Sequence, residues 1–147
     1  MAYYEDLSPC SYFGAHCTAV LRAVGWLEQG LPYSKGRVDE AVFRKLELLL
    51  NNAWQPMVCM GYHECSLCQF TAEARATTNL FVPCDGHIFV CPELITHYIN
   101  AHHYQPPDSF CQAVVDCPTM RSMAYHKKLL ACGGHSLIAP PHTGDQI

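Results

Sequence analysis

Apolar residues recur at helical spacing in two early stretches of the chain. Val20, Leu21, Val24 and Leu27, with Trp26 beside them, predict a helix over 15–28 that Gly30 and Pro32 close. Val42, Phe43, Leu46, Leu49 and Leu50 give a second helix, over 39–51, one apolar face, with Asp39 placed to cap it. The pattern then changes to short β-rich runs. Residues 57–62 read as a strand, with 69–73 as its hairpin partner. Residues 79–82 and 87–91 read as two more strands, and Asp85-Gly86 between them is a hairpin signal. Pro92 fits the first position of a helix running to about His102, with Glu93 near the positive end of its dipole. Helices over 108–116 and 120–132 follow, separated by Pro118 and ended by Gly133-Gly134.

The two ends of the chain read differently. Tyr3, Tyr4, Tyr12 and Phe13 make 1–14 an aromatic-rich arm, expected to pack back on the body because a free arm would expose too much apolar surface. Residues 135–147 read as a flexible tail beyond a single domain over 1–134. Helices flanking a run of strands give an α+β class, with a small antiparallel sheet packed with about five helices.

Half of the 147 residues are hydrophobic, which is enough to build a core. The net charge of −4 disfavours a general nucleic-acid binder, which needs an excess of Lys and Arg. No apolar run approaches the length of a membrane helix, and the N-terminus shows no signal-peptide pattern. A cytoplasmic protein without membrane association is the expectation. In that reducing compartment, the ten cysteines favour metal ligands or buried thiols over disulfides.

Four residues concentrate the chemistry. Cys65 and Cys68 form a C-x2-C pair, and His97 and His102 form an H-x4-H pair on a predicted helix. Two thiolates and two imidazoles complete a tetrahedral set for one structural zinc ion. Residues five apart on an α-helix are turned about 500°, or about 140° off one face, so the last helical turn must relax for both imidazoles to converge. The 28 residues between Cys68 and His97 exceed the span of a compact finger, so the site is expected as a zinc knuckle embedded in a larger centre over 57–104. His103 or Cys91 could replace one ligand, and His63 could join. The plainer reading is a pair of buried thiols beside two ordinary helix-face histidines.

Enzyme signatures are incomplete. His63-Glu64 begins like H-E-x-x-H, but residue 67 is Leu. Glu64 stands where a zinc deaminase has the proline of P-C-x-x-C. The frame of a phosphate-binding loop is absent around Ser34, Lys35 and Gly36.

The segments Y-E-D-L-S-P at the start, G-Y-H-E-C-S-L-C-Q-F, N-L-F-V-P and C-P-E-L-I-T-H-Y-I-N-A-H-H-Y-Q-P-P resemble a family of small uncharacterised bacterial proteins, a domain of unknown function. The likeness covers about residues 3–134. It implies a bacterial cytoplasmic protein and no particular activity.

The expected function is that of a non-enzymatic zinc-stabilised domain acting on another macromolecule, a protein before a nucleic acid. A nucleic-acid-binding regulator using the basic residues Arg121, His126, Lys127 and Lys128 is one alternative. The other is a metalloenzyme with an open zinc position near His63 and Glu64.

Overall fold

A computed structural model describes residues 2–56, 63–68 and 75–138. Within them the elements run α1 (Ala15–Thr18), β1 (Leu21–Ala23), α2 (Glu40–Asn51), β2 (His63–Glu64), β3 (Arg75–Ala76), β4 (Asn79–Cys84), β5 (His87–Pro92), α3 (Ile95–His102), α4 (Asp108–Asp116), α5 (Met123–Ala131) and α6 (His135–Ile138). The class is α+β. No helix among the described residues is long and apolar enough to cross a membrane.

The three-stranded sheet has the order β1-β5-β4. The β4–β5 pairing is an antiparallel hairpin, with Leu80 opposite Cys91 and Val82 opposite Phe89. Its turn residues Asp85 and Gly86 both have positive φ, 48° and 85°, the backbone that a two-residue hairpin turn requires. The sheet is nevertheless mixed, not antiparallel as expected, because β1 lies parallel to β5 with Leu21 opposite Ile88.

That parallel strand replaces most of the helix predicted over 15–28. Only Ala15–Thr18 is helical. From Leu21 the chain is extended between two partners. On one side lies β5; on the other, the arm bonds through Leu7 N–H to Ala23 C=O, Ala23 N–H to Ser8 C=O and Cys10 N–H to Leu21 C=O. Leu21 and Ala23 are buried and Arg22 is half-buried, so a period of two was present beneath the apolar spacing that imitates a helix. Two sets of ladder hydrogen bonds outweigh the high helix propensity of Leu21, Arg22 and Ala23.

Trp26 is the centre of the core. It is fully buried, its Nε1–H donates to Val90 C=O at 3.0 Å, and the rings of Tyr4, Tyr12, Phe13 and His63 lie 5.0–6.2 Å from it. The aromatic arm therefore packs back on the body.

The helices follow their caps. Asp39 accepts from Ala41 N–H to open α2, which buries Val42, Leu46 and Leu49. Lys45 on α2 donates its Nζ to the C=O groups of Val115 and Cys117, satisfying the C-terminal end of α4. Ser122 accepts from Tyr125 N–H and starts α5 three residues past Met120, the predicted start. The helix predicted from Pro92 begins instead at Ile95, because Pro92 still pairs with Asn79 in the sheet. Within the segment expected as a tail, α6 occupies His135–Ile138 and buries Leu137, and residues 139–147 lie outside the described residues. The strand expected over 57–62 and its partner over 69–73 lie outside the described residues; β2 pairs with β3, His63 opposite Ala76.

Candidate metal centre

Cys65 follows β2 directly, and the turn after it returns Cys68 to the same point. The β4–β5 hairpin fills the long interval to α3 and carries the chain back across the molecule. Its helix then presents His97 and His102. The ligand atoms of these four residues all lie within 4.8 Å of one another.

The separations carry chemical information. Cys68 Sγ lies 3.3 Å from His97 Nε2 and 3.5 Å from His102 Nε2, and Cys65 Sγ lies 3.4 Å from His102 Nε2. A sulfur and a nitrogen bound to one tetrahedral zinc are about 3.5 Å apart, given bonds of about 2.3 and 2.05 Å. Thiol–imidazole hydrogen bonds could account for two of these contacts, Cys65 with His102 and Cys68 with His97, but not for the third. Nε2 of His102 has one lone pair or one proton, yet it faces two sulfurs. A cation at the centre would be shared by all four. The cluster is thus a Cys2His2 set that could hold a metal ion.

The H-x4-H spacing converges because α3 ends wide. The His103 N–H bonds back five residues to Tyr98 C=O, and Tyr104 N–H reaches the same oxygen at 3.2 Å. A bond of that span widens the turn and lowers the rotation per residue, which brings positions five apart closer to one face. The two imidazole rings stand 5.1 Å apart and nearly perpendicular. His103, with φ 59°, takes the left-handed position that ends the helix and is exposed.

A loop clasps this helix end. Tyr33 Oη donates to His102 C=O at 3.0 Å, Gly36 N–H to His103 C=O, and Gln105 N–H to Ser34 C=O. On the opposite side of the cluster, Gln29 N–H donates to Ser66 Oγ at 2.9 Å and fixes the knuckle turn. The ligands therefore come from two segments, each held by a third.

Electrostatics favours the forms that bind metal at the imidazoles and opposes them at the sulfur. Burial, then proximity to His102, lowers the pKa of His97; burial, then His103, lowers that of His102. Both rings are kept neutral, the ligating form. Burial raises the Cys65 thiol pKa, with the Cys68 sulfur adding to the rise. A bound cation would supply the opposing stabilisation of the thiolate.

The other candidates fall elsewhere. Cys91 is fully buried within β5, where burial pushes its thiol well above the usual range, and neither it nor His103 belongs to the cluster. His63 is buried between the rings of Tyr12 and Trp26 and hydrogen-bonded to Asn79, while Glu64 is exposed. One buried group has no sequence signal: Tyr98, between the two histidines on α3, has a hydroxyl with no hydrogen-bond partner among the described residues. Its acidity is depressed by burial first and by the nearby Cys65 and Cys68 next.

No curated protein and no solved structure matches this chain. The family profile described as Domain of unknown function (DUF7919) matches residues 2–115, which include every residue of the Cys2His2 cluster, and the chain belongs to that family.

Proposed function

We propose that Cys65, Cys68, His97 and His102 hold one structural zinc ion, and that the domain it stabilises is a non-enzymatic module that binds another protein. The observation that carries the metal reading is the shared contact: both imidazole Nε2 atoms meet Cys68 Sγ, and His102 Nε2 also meets Cys65 Sγ. Two sulfurs with two imidazoles suit zinc over harder cations that prefer oxygen. Four protein ligands complete its tetrahedron and leave no position for a reacting water, which supports a structural role. The ion would join the knuckle to α3 and contribute folding free energy directly. The burial of His63 among aromatic rings counts against its service as a general base.

The test is the metal content of protein purified without added metal, followed by thermal unfolding with and without a chelator. One zinc per chain and a large fall in midpoint on chelation are expected. Metal-free protein that is indifferent to chelator would overturn the zinc reading. Hydrolysis of an ester, amide or phosphoester substrate that disappears in Glu64→Gln would overturn the non-enzymatic one.

A further inference from the structure

A cavity of about 410 Å³ opens beside the arm, within the size range of small-ligand sites. Tyr3, Tyr4 and Tyr33 line it, Leu27 contributes apolar wall, and its charged lining residues are Glu5 and Asp6. Aromatic rings with carboxylates, and no cation among the described lining residues, form the surroundings that attract organic cations: the ring faces carry negative potential and the carboxylates supply full charge. We propose that this cavity binds an organic ammonium group.

Two further observations support the assignment. Lys35, which is not among the lining residues, places its Nζ 5.3 Å from the centroid of the Tyr33 ring, so that ring already takes a cation contact from the chain itself. Asp6 is held in place from behind: Gly25 N–H donates to its Oδ1 at 3.0 Å, and Tyr104 Oη donates at 2.9 Å. Every interaction that fixes Asp6 is a donor, so the carboxylate is oriented as an acceptor before any ligand arrives. An anion is disfavoured by both carboxylates, and an uncharged ligand would leave their charge without a counterpart. The inference goes beyond the metal reading: Tyr33 touches both sites, but none of the four proposed ligands lines the cavity, so either can fail alone.

An ammonium group reaches such a cavity either on a small amine or on a lysine side chain of a partner protein. The experiment titrates the full-length, metal-replete protein with choline, with its neutral isostere 3,3-dimethylbutanol, with Nα-acetyl-lysine amide and with Nα-acetyl-norleucine amide, followed by amide NMR shifts. Saturable shifts with a charged probe, mapping to 3–6 and 32–34 and missing for its neutral counterpart, are expected. Glu5→Gln and Tyr3→Leu, whose side chains make no hydrogen bond among the described residues, should each weaken binding about three- to tenfold. Tighter choline binding assigns the site to a small amine, and tighter lysine binding assigns it to a partner's side chain. Equal binding of charged and neutral probes, or no saturable shift at those residues, would overturn the proposal.

Discussion

Tyr104 Oη lies 2.9 Å from both carboxylate oxygens of Asp6, across 98 residues of sequence. One hydroxyl thereby ties the arm to the chain just past α3. Tyr104→Phe should destabilise the protein by about 1–3 kcal/mol, since it removes a donor from a largely buried carboxylate. Chemical denaturation of the two proteins side by side measures it, and a change below about 0.5 kcal/mol would show that water replaces the bond.

Asp6 also sets a pH dependence. Burial raises its pKa above the ordinary 3.8, outweighing the donors Gly25 and Tyr104, with Glu5 adding a smaller rise. The folded state then holds a proton that the unfolded chain has released, so stability falls as pH climbs from the ordinary value through the raised one. Asp6→Asn should flatten the stability profile in that interval. Unfolding free energies at a series of acidic pH values test this, and a profile unchanged by the substitution would contradict it.

His102 and His103 are adjacent but differ in role. His102→Ala should weaken metal binding by on the order of 3 kcal/mol, about a quarter of the free energy typical of a four-ligand zinc site. His103→Ala should leave the metal in place, because His103 stands outside the cluster. Competition against a chromogenic chelator separates the two variants, and equal losses would remove the distinction.

Tyr33 holds the same helix end through the C=O of His102. Tyr33→Phe keeps the ring and deletes the donor, so a loss of about 0.5–1.5 kcal/mol in stability is expected. Metal should also leave faster, because the last turn of α3 is then less restrained. Stopped-flow release into excess chelator reads that rate directly.

Trp26 anchors the arm, the sheet and the buried His63 at once. Trp26→Ala should cost about 3–5 kcal/mol, the upper range for core truncation. Retention of a cooperative transition within about 1 kcal/mol of the parent would mean that the arm closes over the cavity.

What the sequence determined by itself was whatever short-range chemistry governs. The Asp85-Gly86 turn, the Asp39 cap and the apolar face of α2 each follow from residues a few positions apart, and each stands where the pattern puts it. The spacing of Cys65 with Cys68 and of His97 with His102 likewise marked four residues that the fold brings together. Only the tertiary structure decided the remainder. Leu21–Ala23 is a strand because β5 and the arm offer it hydrogen bonds from both sides, and both partners lie far along the chain or in a segment without strand pattern. Pro92 stays in the sheet because Asn79 stands opposite it. The clasp of Tyr33 on His102 and the tie of Asp6 to Tyr104 span 69 and 98 residues. No local period encodes such contacts; they form when packing around Trp26 brings their segments together.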